Sequence, residues 1–292
     1  MTKKISLNSG WMIIAAFLFA MMSILVKNAA ANLHMNEYEL AFWRSLLPAL
    51  TIFGATLVRK QTLKTPFFWG HIQRSLAGTM ALLLAFYGLS HLPLATSITL
   101  NYTSVVFIAL LSIFWLKEKP SSKTWVALVM GLGGICLMLQ PAFATDRLLD
   151  TLITLSGGIF TAFALLQVRE LSLMGEPAWR IVFYFSAVAT IVSAIAATWF
   201  GWSRLTSESL PYILGIGVTG LLAQLTMTHA YHVGRKFTVA ALSYLTVVFS
   251  AIYGVIFVGE SIGWLEILGI MAVILAGIVS SVPDKKSVPS QK

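Results

Sequence analysis

Arg44 lies inside a mostly apolar stretch of the chain, residues 38–58. A charged side chain at the centre of a membrane helix costs about 2.5–3.5 kcal/mol on an insertion scale, so such a residue is a functional candidate by default. The guanidinium of Arg44 offers paired N–H donors that match the two oxygens of a carboxylate, and the indole of Trp43 stands beside it. Arg44 therefore predicts recognition of an acidic group. The alternative is that its side chain reaches the lipid headgroups or pairs with Glu37 or Glu39.

Polar side chains recur at helical spacing in other apolar stretches. On a membrane helix, such a face either lines a water-filled cavity or binds a neighbouring helix through hydrogen bonds. Lys27, near the end of the first apolar stretch, is either a solute contact or an anchor at the membrane surface. We predict a solute cavity lined by polar and aromatic side chains. The candidates besides Arg44, Trp43 and Lys27 are Tyr87, Asn101, Tyr102, Gln167, Gln224, His229, Ser243, Tyr244 and Thr246.

Carboxylates are missing from the middle of the apolar stretches. All 11 acidic residues fall at the ends of these stretches, in the links between them or in the tail. Proton coupling would therefore need His229, a residue near the entrance or the charge of the solute itself. The sequence has no metal-ligand spacing, phosphate-binding loop or clustered catalytic set, so we predict no enzyme activity, no cofactor and no bound metal. The single cysteine, Cys136, cannot form an internal disulfide and is expected to be a buried packing residue.

The helices that carry these residues are predicted from composition. Of the 292 residues, 58% are hydrophobic and 11% charged, whereas soluble domains hold roughly 45–50% apolar and about 25% charged residues. A soluble enzyme, a nucleic-acid-binding domain and a disordered chain are excluded. A helix needs about 20 mostly apolar residues to cross a membrane, and ten stretches qualify, two of them separated by a tight turn at residues 90–93. They cover residues 10–30, 38–58, 70–90, 94–116, 123–143, 150–169, 178–200, 209–231, 237–258 and 263–282.

The basic residues predict the orientation of these helices. With the N-terminus in the cytoplasm, 16 of the 20 Lys and Arg residues, Arg74 among them, fall on the cytoplasmic side, 3 on the other side and Arg44 within a span. Cytoplasmic enrichment of Lys and Arg is the usual determinant of topology. We therefore expect a multi-pass protein of a bacterial-type inner membrane with both termini in the cytoplasm. The alternative reading of the N-terminus is a secretory signal peptide, whose cleavage would leave nine spans.

The chain contains an internal duplication. A shift of 142 residues aligns residues 102–118 with residues 244–260, where 6 of 17 positions are identical, including a tyrosine and a glutamate at equal spacing. The two glutamates, Glu118 and Glu260, are expected to organise the turns in which they stand. Each copy holds five helices, so the second copy enters the membrane from the opposite side, as in the inverted repeats of secondary transporters. The predicted units are a first repeat over 1–145, a second repeat over 146–284 and a cytoplasmic tail over 285–292.

Three segments carry a family resemblance. They read FWRSLLPAL (42–50), LATSITLNYTSVVFIALLSIFWLKEKPSSKTW (94–125) and VAALSYLTVVFSAIYGVIFVGESIGWLEILGIMAVILAGIV (239–279). Together with ten short-looped helices in two repeats, they resemble the drug/metabolite transporter superfamily, EamA type. The resemblance implies a cavity between helices 1–4 and 6–9, with helices 5 and 10 at the periphery. One departure is that the counterpart of Arg44 in the second half lies near Phe185, so the halves differ in charge.

The expected fold is therefore an all-α integral membrane protein with ten transmembrane helices in two inverted five-helix repeats. The resemblance and the repeats imply secondary-active or facilitative transport of a small organic solute by alternating access. Arg44 and Lys27 favour a carboxylate-bearing solute such as an amino acid, and the resemblance favours export. Uptake of a vitamin, nucleoside-like or other cofactor-type metabolite is the alternative, and a non-transporting scaffold or receptor is an alternative of a different class. The expected partners are the solute and membrane lipids, without nucleic acid, for a monomer or homodimer.

Overall fold

The computed structural model of the chain describes residues 2–114, 147–233 and 242–281, together with Val239 and short pieces between residues 125 and 137. In these parts every regular element is helical, which confirms the all-α class. The helices are α1 (Thr2–Leu33), α2 (Glu37–Val58), α3 (Phe68–His91), α4 (Leu94–Tyr102), α5 (Ser104–Phe114), α6 (Leu148–Leu173), α7 (Ala178–Phe200), α8 (Ser209–Val233), α9 (Leu245–Tyr253), a π-helical turn (Gly254–Val258) and α10 (Trp264–Ser281).

Six of these helices, α1, α2, α3, α6, α7 and α8, are long and apolar enough to cross a membrane. Shorter apolar helices cover Leu94–Ile108, Leu245–Val258 and Trp264–Ala276, within the predicted fourth, ninth and tenth spans. The predicted turn at 90–93 is confirmed, because α3 ends at His91 and α4 begins at Leu94. The predicted fifth span falls mostly outside the described residues, as do Glu118 and the predicted tail.

Helix α7 shows why these helices belong in lipid. Ala189 and Ser193, one turn apart, are buried, and small side chains of this kind let neighbouring helices approach closely. On the opposite side Ile191, Ile195 and Trp199 are exposed at a similar spacing. Large apolar side chains on the outside and small ones on the inside are the arrangement expected when the surrounding solvent is a lipid bilayer.

Cys136 is exposed in the structure, so its predicted burial is wrong. The reason is that lipid, rather than water, surrounds the helices. Both the inside and the outside of a membrane bundle are apolar, so an apolar stretch around a residue does not tell which way its side chain faces.

The fourth and ninth spans tighten at nearly equivalent positions of the two repeats. In the fourth span the N–H of Val106 donates to the carbonyl of Thr103 at 2.9 Å, and in the ninth the N–H of Val247 donates to that of Tyr244 at 3.0 Å. Both bonds join residues three apart, whereas an α-helix joins residues four apart, and short stretches of this kind within a helix often mark hinges. The repeat is therefore visible in backbone geometry as well as in sequence.

Helices of the first half pack mainly on helices of the second half: α1 on α8, α2 on α7 and α3 on α6. The helix ends gather at two faces of the bundle. We call one the Glu260 face, formed by residues 34–36, 92–93, 201–208 and 259–263, and the other the Glu176 face, formed by residues 59–67 and 174–177. The interface between the halves lies between these two faces, and it buries polar side chains of the spans such as Arg44 and Gln224.

Candidate solute-binding site

The guanidinium of Arg44 lies between helices α2, α7 and α8. Its Nη2 donates to Oε1 of Gln224 at 3.2 Å, and its Cζ lies 5.2 Å from the centre of the Phe185 ring. Arg44 is 4% exposed, so it does not reach the headgroups, and it pairs with no carboxylate in the described parts of the chain. Its Nε has no hydrogen-bond partner among the described residues. Arg44 thus lies inside the bundle with part of its donor capacity unused.

Arg74 is a second buried arginine, which the sequence interpretation assigned to the cytoplasmic side. The residue lies within α3 and is 4% exposed, so its side chain is buried in the bundle. The side of the membrane on which it lies stays a prediction. Its Cζ lies 4.3 Å from the centre of the same Phe185 ring. Nε and Nη1 of Arg74 make no hydrogen bond within the described structure. The signal was present in the sequence, since residue 74 falls inside the predicted span 70–90.

Glycines make room for both arginines. A Cβ atom at Gly78, one turn after Arg74, would lie 2.1 Å from Nη1 of Arg74 and 3.0 Å from the ring of Phe185. A Cβ atom at Gly220 would lie 3.1 Å from Cγ of Arg44. Because glycine has no side chain, Arg74 can run along its own helix past Gly78, and Arg44 can run along the neighbouring α8 past Gly220, to the same ring.

The arginine site, defined as Arg44, Arg74, Phe185 and Gln224, is not electrostatically self-sufficient. Each buried arginine costs about 2.5–3.5 kcal/mol on the insertion scale, whereas a cation–π contact returns about 0.5–2 kcal/mol. The two like charges also repel each other. The hydroxyl groups of Ser45 and Ser75, next to the two arginines in sequence, lack partners within the described residues as well. An anion bound here would satisfy groups that the protein leaves unsatisfied.

A second set of predicted residues joins the fourth and ninth spans. The hydroxyl of Tyr102 donates to Oγ1 of Thr246 at 2.8 Å, and its ring lies 6.0 Å from that of Tyr244. Tyr244 is buried, with no partner for its hydroxyl among described residues, and Ser243 beside it is buried too. These hydroxyl groups come from both repeats. They add neutral hydrogen-bonding capacity to the interface between the halves.

Lys27 is bound at the Glu260 face. Its Nζ lies 3.0 Å from Oε1 of Glu260 and donates to the carbonyl of Leu92 at 2.7 Å. The same carboxylate accepts the N–H of Leu94, at 2.8 Å to Oε2, and so caps the first turn of α4. Gly259 positions Glu260, because its φ of +69° ends the ninth span in the left-handed region that glycine tolerates. The anchoring alternative for Lys27 fits this geometry.

Two further predicted residues connect helices pairwise. The hydroxyl of Tyr87 donates to Oδ1 of Asp150 at 2.6 Å, near the end of α3. Asn101 accepts a hydrogen bond from the hydroxyl of Thr161 at 3.1 Å, which ties α4 to α6. Both bonds hold neighbouring helices together rather than joining the arginine site.

Gln167 borders a cavity of about 340 Å³ near the Glu176 face, which Trp69, Gln73 and Glu170 also line. Its Oε1 is buried without a hydrogen-bond partner in the described structure. The cavity lies between the first turn of α3 and the last turns of α6. Gln167 is therefore placed at one end of the interface between the halves.

The structure separates His229 and Trp43 from the arginine site. His229 is exposed on the outer surface of α8, where its ring lies edge-on to Trp11 at 5.5 Å. Nε1 of Trp43 donates to Oε1 of Glu39 at 3.4 Å, toward the Glu260 face. Among the described residues, no group of three or more His, Cys, Asp or Glu side chains is placed to hold a metal ion.

The structure has apolar, membrane-length helices, and the helices of its two halves pack on each other around two buried arginines, each with at least one N–H donor that lacks an acceptor in the described structure. These features define a multi-pass membrane protein with a site for a small polar molecule. The comparisons with known proteins give the class its name. The chain belongs to the EamA-like transporter family, whose sequence model matches residues 8–140 and again residues 150–282. The predicted resemblance to the drug/metabolite superfamily is thereby confirmed, and the family consists of transporters rather than enzymes.

Characterised relatives differ in what they carry. The chain is 32% identical over 277 residues to the pseudopaline exporter CntI of Pseudomonas aeruginosa, covering 92% of this chain and 94% of the relative. It is 26% identical over 259 residues to an S-adenosylmethionine uptake transporter of Rickettsia bellii, covering 86% and 84%. It is also 26% identical over 227 residues to a riboflavin transporter of Vibrio cholerae, covering 76% and 75%. A solved crystal structure of a protein shares the fold, with a TM-score of 0.68 at 18% identity over 94% of this chain and 96% of that one.

Proposed function

We propose that this small-molecule transporter exports a carboxylate-bearing metabolite, such as an amino acid or a derivative of one, across a bacterial inner membrane. The proposal rests on the buried guanidinium of Arg44, whose Nε has no hydrogen-bond partner among the described residues. Arg44 lies on α2 of the first repeat and contacts α7 and α8 of the second repeat. Guanidinium groups bind carboxylates through paired, charge-assisted hydrogen bonds. Export is favoured over uptake by the relative at 32% identity, which is an exporter.

Alternating access follows from where Arg44 lies. Arg44 belongs to the first repeat and its contacts Phe185 and Gln224 belong to the second, so a rocking motion of one repeat on the other would open the site first to one face and then to the other. In the structure, hydrogen bonds join the two halves at both faces, as between Lys27 and Glu260 and between Thr65 and Glu176. The hydroxyl groups of Tyr102, Ser243, Tyr244 and Thr246 and the amides of Gln167 and Gln224 are the proposed neutral contacts of the solute.

Orientation is proposed with the Glu176 face in the cytoplasm, because the link after α2 carries Arg59, Lys60 and Lys64. Introducing Lys64→Cys or Ser207→Cys into a Cys136→Ser background gives one exposed thiol on each face. In intact cells, a membrane-impermeant maleimide should label the Ser207→Cys protein and not the Lys64→Cys protein. The reverse labelling pattern overturns the orientation.

Solute counterflow in proteoliposomes tests the proposed function. Purified protein is reconstituted with a broad panel of unlabelled metabolites inside, and entry of labelled amino acids and related carboxylates is followed. We expect exchange that saturates and that is absent from protein-free vesicles. Exchange of uncharged or vitamin-like metabolites alone favours the uptake-carrier alternative, and no exchange with any panel member favours a non-transporting scaffold or receptor.

A further inference from the structure

We infer that the solute carries two carboxylates and that Arg74 holds the second one. This inference rests on the proposed function, in which Arg44 holds the first. The structure assigns both arginines to one site because their guanidinium carbons lie 5.2 Å and 4.3 Å from the centre of the same Phe185 ring. The two side chains reach that ring from different helices, α2 and α3.

The arginine site holds two positive charges and, within the described residues, no negative charge paired with them. Arginine stays protonated in proteins, so burial does not remove either charge. Both residues are 4% exposed, and within the described residues neither one pairs with a carboxylate. A solute with one carboxylate would leave one buried cation uncompensated, whereas a solute with two neutralises both.

The geometry of the unused donors favours two separate carboxylates. A guanidinium is a planar fork that matches the two oxygens of one carboxylate. Nε of Arg44, and Nε and Nη1 of Arg74, have no acceptor among the residues described. Each guanidinium therefore has at least one free N–H donor with which it can bind a separate carboxylate.

The surroundings of the forks suit the rest of such a solute. The Phe185 ring, in contact with both guanidiniums, offers an apolar surface for the carbon chain that links two acids. The hydroxyl groups of Ser45 and Ser75, which directly follow the two arginines in sequence, are buried without partners in the described structure. Two cations and an apolar surface thus occur together in one place.

Ligand-dependent thermal stability of the full-length protein in detergent tests this inference. The probes are succinate, glutarate and adipate, each compared with its own monoamide, which keeps one carboxylate and the same chain length. Affinity is obtained from the rise in Tm with concentration. We expect at least one diacid to bind about tenfold or more tightly than its monoamide, because one charge-assisted contact is lost in the monoamide.

Three variants and one control variant separate the roles of the two arginines. Arg74→Gln should lower the affinity for the diacid to that of the monoamide and leave monoamide binding unchanged. Arg44→Gln should weaken both ligands, and Arg59→Gln, on an exposed link, is the matched control that should change neither. Gly78→Ala keeps the charge of Arg74 but places a Cβ atom 2.1 Å from the present position of its Nη1, so it should abolish the same discrimination. Because Arg74→Gln removes an uncompensated buried charge, its ligand-free Tm should not fall, which shows that the variant folds.

The inference is overturned if no diacid raises Tm, if monoamides bind as tightly as diacids, or if Arg74→Gln weakens both ligands equally. These outcomes leave the proposed function standing as long as Arg44→Gln weakens binding of the monoamides. If Arg44→Gln changes the binding of no carboxylate, the proposed role of Arg44 fails together with the inference.

Discussion

At each face of the bundle, a carboxylate from the second repeat holds the first repeat, but with different donors. At the Glu260 face, Glu260 accepts from the ammonium of Lys27 and from the backbone N–H of Leu94. At the Glu176 face, Glu176 accepts from the hydroxyl of Thr65 at 2.7 Å and lies 3.2 Å from Nε2 of His71. The partners of the carboxylate are thus an ammonium and a backbone N–H at the Glu260 face, and a hydroxyl and an imidazole at the Glu176 face.

A second pair of contacts shows how the repeats produce this difference. A shift of 141 residues places Glu39 on Arg180 and Thr62 on Ser203. The contacts follow the shift: the N–H of Ser203 donates to Glu39 at 3.1 Å, and Nη2 of Arg180 donates to the carbonyl of Thr62 at 3.0 Å. The duplication therefore preserves where the halves touch, while the charge at the touching position has changed sign.

The Glu176 carboxylate is the more buried of the two. The side chain of Glu176 is 4% exposed and that of Glu260 is 10% exposed. Glu176 also accepts from Nη1 of Arg180 at 3.0 Å, and the hydroxyl of Tyr184 donates to the carbonyl of Leu63 at 3.0 Å. Because a buried charge depends more on its partners than an exposed one does, the two faces should differ when their carboxylates are removed.

The largest expected effect is that of Glu176→Ala. Removing one partner from a buried ionic cluster costs about 3 kcal/mol or more, since it leaves the remaining polar groups of that cluster unpaired. Tm in detergent should fall clearly below that of the wild type. Glu170→Ala, at an exposed carboxylate near the same face, is the control and should leave Tm nearly unchanged. An equal Tm for both variants would contradict a stabilising role of Glu176 and its partners.

A smaller effect is expected for Glu260→Ala. The change removes the cap of α4 and the partner of Lys27, together about 1–2 kcal/mol at a partly exposed site. Tm should fall by less than in Glu176→Ala, with Glu208→Ala, exposed near the same face, as the reference. A fall as large as that of Glu176→Ala would mean that the two carboxylates stabilise the protein equally.

The smallest expected effect is a difference in acid sensitivity. Burial raises the pKa of the Glu176 carboxyl, but hydrogen bonds from Thr65, Arg180 and His71 outweigh it and hold the pKa below its ordinary value of 4.5. The ionised carboxylate therefore stabilises the fold above pH 4.5, and this stabilisation is lost as the pH falls through the lowered pKa. Tm measured against pH should drop more steeply on acidification in the wild type than in Glu176→Gln. Parallel curves would show that Glu176 is not stabilised in its ionised form.

The sequence predicts the helices better than it predicts which way they face. Lengths of apolar sequence and the turn before Leu94 are local properties, and the structure agrees with both. The direction of a side chain depends on how helices pack, which no single stretch encodes. Thr228 and Ala230 are buried in α8, yet His229 between them is exposed. Successive residues of an α-helix differ by 100° in direction around the helix axis. A small error in the predicted direction therefore mistakes a lipid-facing residue for a cavity residue.

Arg74 illustrates the same limit for charge. An arginine close to a helix end can extend to the membrane surface or lie inward, and hydropathy treats both alike. An inward-facing arginine needs a neighbouring group that its guanidinium can contact. For Arg74 this group is the ring of Phe185, and Gly78, one turn away, leaves room for the contact. The contact with Phe185 joins residues 111 positions apart in sequence, so it could be found only in the folded structure.

The rate of counterflow by the Arg44→Ala protein tests the central claim most directly. The labelled carboxylate that the wild type exchanges is offered to wild-type and variant proteoliposomes of equal protein content. If the guanidinium of Arg44 binds the solute, exchange by the variant should fall about tenfold or more, while its level in the membrane stays the same. Unchanged exchange kinetics in Arg44→Ala would contradict the account, because they would show that transport does not use this buried charge.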